Sequence, residues 1–319
     1  MDRRVNLPLS LLKIDVAGGV ATITINRPDA LNSLNPAVLH QLQQAFDHAV
    51  ADANVQGIVI AGEGKAFVVG ADISFFLRNL ELGDLERIVK FTELGHRVLN
   101  AIDGSPKPVV ARVHGHALGG GFELALACDY VVATPAASFG FPETGLGIYP
   151  GLGGTQRTPR AIGVGLAKWL IFTGKTLSAQ EAWKLGIVDA CVTREQLNDA
   201  CHRFALKQGT SGVREAQSTD LCALDQFFAS NRVDDLYAGT ADTGGNSALM
   251  RAMKSLAGKS LGALRLAERL IEDGGRRTIE DGLQMEIDNI AGIFRTEDAY
   301  RGLAACAKRS MGGDPKPTV

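Results

Sequence analysis

The chain of 319 residues has no excess of basic residues: 33 Lys and Arg stand against 35 Asp and Glu, for a formal charge of -2. Without a basic stripe it lacks the electrostatic footprint by which proteins bind nucleic acid or an anionic membrane. Cysteine is scarce and scattered. Cys128, Cys191, Cys201, Cys222 and Cys306 are odd in number and never spaced as CxxC. That spacing argues against a disulfide framework or a cysteine metal site and reads as reduced, intracellular thiols. No apolar run reaches the ~18 residues of a membrane span. The N-terminus, "MDRRVNLPLSLLKIDV", carries an early Asp2 and no apolar core before a small-residue cleavage site, so no secretory signal is read there. These absences lead to the expectation of a soluble, cytoplasmic protein with neither nucleic-acid nor membrane partners.

What is present is globular. Hydrophobic residues make up 45% of the chain and charged residues 21%, enough to bury a sizeable core. "LLKIDV" and "VATITIN", parted by Ala17, Gly18 and Gly19, read as an opening β-hairpin. Asn35 followed by Pro36 marks a helix start, with Leu39, Leu42, Phe46 and Val50 as its apolar stripe. A buried strand "GIVIA", a loop "GEGKAFVVGADIS", a helix over roughly 84–102 and a strand "PVVARV" follow. This alternation predicts an α/β core over 1–195. Beyond it the pattern is helical, 196–310, with an insertion at about 209–247 where polar, Gly-rich linkers flank "LCALDQFFASNRVDDLY". The closing "GGDPKPTV" predicts a disordered tail over 311–319.

Three stretches carry candidate chemistry. "ALGGGFELALACD" sets Gly119, Gly120 and Gly121 between the strand "PVVARV" and a helix-forming run, then places Glu123 among Phe122, Leu124, Ala125 and Leu126. Free N–H groups at a helix start favour negative charge, and glycines let a ligand approach the backbone. Taken alone, the glycines are accounted for by close helix–strand packing. They are neither a dinucleotide fingerprint nor a Walker loop, lacking GxGxxG spacing and a following GK[ST]. "KAFVVGADIS" again follows a buried strand and runs through Gly70 and Ala71 to Asp72, which also reads as a helix cap. Two such turns can set two backbone N–H donors around one oxygen, the layout of an oxyanion hole. In "SFGFPETGLGIYPGLGGTQR", Glu143 stands between Pro142 and a Gly-rich loop with few charges around it. Desolvation raises a carboxyl pKa and a second carboxylate raises it further; such a pair can deprotonate a water while giving a proton elsewhere. Each acid alone could equally be exposed or salt-bridged, with Arg112 or Arg157 as mate.

In order and spacing, "NRPDALNSLN", "KAFVVGADI", "ARVHGHALGGGFELALACDYVVA" and "FPETGLGIYPGLGGTQR" closely resemble the crotonase superfamily, and in it the hydratase branch of the enoyl-CoA hydratase/isomerase family. The likeness runs from about residue 11 to about 195 and returns at "FRTEDAYRGLAA". It implies a spiral of ββα units and a helical C-terminal region that builds homotrimers, often paired as hexamers. The implied ligand is an acyl-coenzyme A thioester; coenzyme A is part of the substrate, and no cofactor or metal is expected. By the same resemblance, Ala71 and Gly120 supply the oxyanion-hole N–H groups, and Glu123 and Glu143 are the two hydratase acids. Asp29, Ala30, Leu31, Ala66, Phe67, Gly70, Asp72, Ile73, Gly119, Gly121, Pro142 and Gly151 are expected around the substrate and its coenzyme A. The reaction implied is addition of water to a trans-2-enoyl-CoA, giving a 3-hydroxyacyl-CoA, as in fatty acid β-oxidation.

Several residues depart from the family pattern. Ser74 stands where many hydratases have a lysine near the coenzyme A phosphates, and Cys306 in "AACAKRS" takes the place of a phenylalanine. The insertion faintly resembles one in the 3-hydroxyisobutyryl-CoA hydrolase branch. That hydrolysis, double-bond isomerisation and a non-catalytic acyl-CoA-binding role are the alternatives; both acids together with Gly151 favour hydration. His114 and His116 look like a metal pair but lack a third ligand at suitable spacing, and Asp129 reads as structural. The helical spacing in "LGALRLAERLIEDG" reads as core or subunit contact.

Overall fold

In the computed structural model, residues 3–4, 9–212 and 218–311 are described. Of the tail expected over 311–319, Met311 instead closes the last helix, which runs on from Glu297, while 312–319 and residues 213–217 of the expected linker lie outside the described residues. The chain gathers into two compact units, one within 1–72, 93–139 and 177–215, the other within 73–92, 140–176 and 216–319.

The first unit carries the strands. β1 (Arg3–Arg4), β2 (Leu12–Ala17) and β3 (Val20–Ile25) are antiparallel neighbours, and Gly18 and Gly19 turn the expected hairpin between β2 and β3. Leu12 and Ile14 are buried while Lys13 and Asp15 are exposed, the alternation of a strand with one wet face. Helix α1 (Pro36–Ala51) begins as expected: the Asn35 side chain accepts from Val38 N at 2.9 Å, and Pro36 sits where no N–H is needed. β4 (Gly57–Gly62) is buried at every residue and runs parallel to β3. Within the segment expected to be loop there is a further strand, β5 (Ala66–Val69). Helix α2 (Ile73–Glu81) belongs to the second unit, and α3 (Leu85–Asp103) passes from the second unit into the first. β6 (Val109–Val113), β7 (His116–Leu118), α4 (Gly120–Leu126), β8 (Tyr130–Ala133) and β9 (Ser138–Gly140) come next.

The second unit then supplies α5 (Gly154–Ile162) and α6 (Val164–Thr173), before the chain returns for β10 (Leu177–Ser178), α7 (Ala179–Leu185), β11 (Ala190–Cys191) and α8 (Leu197–Ala205). The strands form a seven-stranded sheet, β1-β2-β3-β4-β6-β8-β11, and a four-stranded one, β10-β9-β7-β5. From β3 to β11 the larger sheet is parallel. Val20, Val59, Val110 and Val132, one from each of β3, β4, β6 and β8, meet Leu197, Cys201 and Phe204 of α8 in a buried cluster. Each large side chain so enclosed contributes about 1.5–3 kcal/mol.

From Thr219 to Met311 the second unit is built of helices, α9 (Thr219–Ser230), α10 (Val233–Ala238), α11 (Ser247–Lys254), α12 (Leu261–Gly274), α13 (Ile279–Phe294) and α14 (Glu297–Met311). The insertion is integrated here. Gly165 of α6 lies so close to α9 that a methyl group on it would run into the Asp225 carbonyl, and Leu166 N donates to Asp225 Oδ1 at 3.1 Å. Among the described residues no helix is long and apolar enough to cross a membrane.

Candidate active site

Strand register brings two glycine turns together inside the first unit. β5 and β7 are parallel, and a shift of register after Ala66 sets Val68 opposite Ala117 and Val69 opposite Leu118. One residue further along each strand, Gly70 and Gly119 take left-handed φ values of 64° and 51°, which a Cβ would strain. Ala71 and Gly120 therefore follow at matching positions, each leaving a left-handed glycine. Gly70 N donates to Leu118 O at 2.7 Å, tying the two turns together. On the other side Leu34 bridges Ala71 in parallel, its N–H donating to Gly70 O at 2.9 Å and its carbonyl accepting from Asp72 N at 2.8 Å. A ladder of that kind uses the residues flanking Ala71, so the Ala71 N–H points away from it. Gly120 opens α4, where a first-turn N–H has no intrahelical carbonyl to reach. Among the described residues no backbone carbonyl outside the regular ladders accepts from either N–H.

Glu123 lies one turn into α4 and is 1% exposed. A methyl group on Gly121 would run into the Val68 carbonyl, so the start of this helix rests directly on β5. The loop expected to meet coenzyme A is sewn to the same strand. Buried Asn32, at φ 59°, accepts from Arg27 N and donates to Glu63 O and Ala66 O, each at 2.9 Å. Val69 N donates to Leu31 O at 3.0 Å, while Arg27 donates to Ser33 O at 2.7 Å and pairs with Asp72 at 3.1 Å. Asp29, Ala30, Leu31, Ala66, Phe67, Gly70, Asp72, Gly119 and Gly121 are thus brought together in one unit. Asp29 is exposed, whereas Ala66 and Phe67 are buried. Arg27 and Asn32 were not singled out from sequence; their partners lie up to 45 residues away, and no local pattern announces them.

The second unit holds Ile73, Pro142, Glu143 and Gly151. Pro142 is exposed, and Glu143 opens a single 3-10 turn, Glu143–Leu146, whose backbone closes on itself through Ile148 N to Glu143 O at 3.1 Å. Burial pushes the Glu143 carboxyl up to about 8, and its Oε2 has no partner among the described residues. It is an acid that keeps its proton near neutral pH. Gly151 is half-buried with the Ile290 side chain across from it; an added Cβ would stand 3.0 Å from Ile290 Cδ1.

The other tempting residues are occupied structurally. His114 Nε2 is 2.8 Å from Gly64 O, and His116 Nδ1 is 2.7 Å from Ser138 Oγ. Asp129 accepts from Val109 N at 2.7 Å, and Arg112, a possible mate for an acid, donates to Asn198 Oδ1 at 2.7 Å. Among the described residues no group of three or more His, Cys, Asp or Glu could hold a metal ion.

A family model described as enoyl-CoA hydratase/isomerase matches residues 15–216. A crotonyl-CoA hydratase of Syntrophomonas wolfei is 43% identical over 199 residues, which cover 61% of this chain and 75% of the relative. A probable enoyl-CoA hydratase of Rhizobium meliloti is 34% identical over 299 residues, covering 93% of this chain and 95% of the relative. Of the solved structures, a carnitinyl-CoA dehydratase from Mycobacterium thermoresistibile matches with a TM-score of 0.84 at 22% identity, over 94% of this chain and 90% of the other, a likeness of fold.

Proposed function

The chain belongs to the enoyl-CoA hydratase/isomerase family, and on that premise we propose that it adds water across the double bond of a trans-2-enoyl-CoA through two backbone donors and two glutamates. The observation that carries this is the register that sets Ala71 and Gly120 side by side, each after a left-handed glycine. Water adds its oxygen to C3 and one of its protons passes to Glu123. The electron pair of the double bond moves toward the thioester, and the charge that develops on its oxygen is met by the Ala71 and Gly120 N–H groups. Donors aimed at that oxygen bind the transition state more tightly than the ground state, and losing one costs about 100- to 1000-fold in rate.

Glu143 supplies the proton that C2 must receive. A carboxyl pushed up to about 8 by burial is protonated at neutral pH and still acidic enough to give that proton to an enolate. Glu123 then gives its proton up to solvent and Glu143 takes one back before the next turnover, so the cycle closes on proton transfers and electrostatic stabilisation, and neither a redox cofactor nor a metal enters it. Coenzyme A belongs to the substrate, held by the loop at Asp29, Ala30 and Leu31 and by the segment from Ala66 to Ile73. A homotrimer, singly or paired as a hexamer, working in the cytoplasm on fatty-acid β-oxidation, completes the reading that the family resemblance supports.

The test is purified protein with crotonyl-CoA, following loss of the conjugated enoyl-thioester absorbance. Wild type should hydrate it, and Glu123→Gln and Glu143→Gln should each lose about 100-fold or more. No hydration across several chain lengths would sink the reading. Release of coenzyme A thiol would instead favour hydrolysis, and conversion of a 3-enoyl thioester without hydration would favour isomerisation.

A further inference from the structure

Glu286 of α13 is fully buried, and its backbone and side chain reach both sides of Gly151. Its carbonyl accepts from the Tyr149 hydroxyl at 2.6 Å, two residues before Gly151. Its carboxylate accepts from Gly153 N at 2.7 Å, two residues after, and from Thr155 N and Thr155 Oγ1 at 3.0 and 2.5 Å. One turn along the same helix, Ile290 fills the space across from Gly151. A single acid on a C-terminal helix thus holds the whole run from Tyr149 to Thr155, with three donors satisfying the carboxylate that burial would otherwise make costly.

That run continues directly from the turn bearing Glu143. Because Oε2 of Glu143 has no partner among the described residues, its side chain is not anchored through that atom and depends on where the backbone puts it. The Glu143 carbonyl is held by Ile148 N at 3.1 Å, and Ile148 is bonded to Tyr149, the first residue Glu286 clamps. We infer that Glu286 is a positioning residue for hydration: by clamping Tyr149, Gly153 and Thr155 it fixes the backbone that aims the Glu143 carboxyl. The inference rests on the hydratase reading, in which Glu143 delivers the proton. Misplacement by about 1 Å of a group engaged in transfer costs on the order of 100-fold.

The test is a double-mutant cycle on the full chain with crotonyl-CoA. Glu286→Gln keeps the shape but turns an amide N–H2 toward donors, so kcat should fall about 10- to 100-fold with KM within threefold. In the Glu143→Gln background the same substitution should cost little, since the group it aims is already gone. Thr155→Val, a milder loss of one donor to the same carboxylate, should lower kcat in the same direction and covers the case in which Glu286→Gln does not fold. Equal losses in both backgrounds, or a fall in melting temperature with kcat unchanged, would make Glu286 merely structural and overturn the inference. A readout independent of turnover separates this from failure of the hydratase reading. Amide exchange at Gly153 and Thr155 should quicken at least tenfold in Glu286→Gln, with other helices unaffected, and unchanged exchange there overturns the clamp even if wild type hydrates nothing.

Discussion

The amide of Gly70 donates to the carbonyl of Leu118 at 2.7 Å, and this one bond locks two left-handed glycine turns into a common register. Its consequence is chemical as well as structural. With the strands aligned at Val69 and Leu118, Ala71 and Gly120 each stand two residues further along. Had the pairing at Ala66 and His116 continued unshifted, Gly70 rather than Ala71 would stand level with Gly120.

Substitutions at Ala71 and Gly121 should therefore separate the proposed donor from packing. Ala71→Gly keeps the N–H and should stay within about tenfold of wild type, whereas Ala71→Pro deletes it and should lose about 100- to 1000-fold in kcat. Gly121→Ala acts differently, because its methyl group meets the Val68 carbonyl and must push α4 off β5. That variant should lose melting temperature and activity together. Circular dichroism melts beside crotonyl-CoA kinetics distinguish the two behaviours, and a stable, fully active Gly121→Ala would contradict the close approach.

Glu143 predicts two pH dependences with the same origin. Its carboxyl, raised from 4.5 to about 8 by burial, must be protonated to give the proton that the proposed reaction asks of it, so on that proposal kcat should fall as pH rises through about 8. For stability, the folded protein keeps this proton between about 4.5 and about 8 while the unfolded chain has released it. The contribution is fully present below 4.5, is lost as pH climbs through that window, and does not change further above it. Glu143→Gln carries no titrating proton there. Melting temperatures across pH should show wild type losing stability relative to Glu143→Gln through that range, and parallel curves would refute the raised value.

Much of the architecture was legible because it depends on near neighbours. Asn35 before Pro36 is a local signal and starts α1 as read, and the glycines at 18 and 19 turn the opening hairpin. The strand β5 gives no such signal: "AFVV" is four residues long, lies in a turn-rich stretch, and pairs through a register shift that no periodicity shows. Sequence order also gives no view of how α2 and 140–176 group with the C-terminal helices, since that grouping is made by contacts far apart along the chain. Of the residues proposed for the chemistry, the glycines and the two acids stand in contiguous patterns that the sequence displays. Arg27, Asn32 and Glu286 stay silent, each being a common residue whose meaning comes from partners 31 to 137 residues away.

The last prediction concerns charge in the core of the second unit. Lys168 of α6, its side chain 1% exposed, lies 2.5 Å from Glu272 and 3.4 Å from Glu268, whose side chain is 5% exposed. Glu268 also accepts from Val233 N at 2.9 Å, so the pair links α6 and α12 to the inserted α10. Removing one member of a buried pair leaves the other charge uncompensated, a cost of about 3–5 kcal/mol. Glu268 and Glu272 also line a cavity of about 470 Å³ with Arg232, Asp234, Arg265 and Arg269, and Arg232 sits 3.5 Å from Glu268. Water and a second cation can reach the orphaned carboxylate there, which sets the expectation for Lys168→Met at the lower end, about 3 kcal/mol. Glu272→Gln, at a side chain 29% exposed, should cost less. Lys168→Met combined with Glu268→Gln should be more stable than Lys168→Met alone, because it removes the stranded charge. Denaturant melts of these variants and of Glu268→Gln alone decide it, and additive losses in the double variant would show that the pair is not coupled.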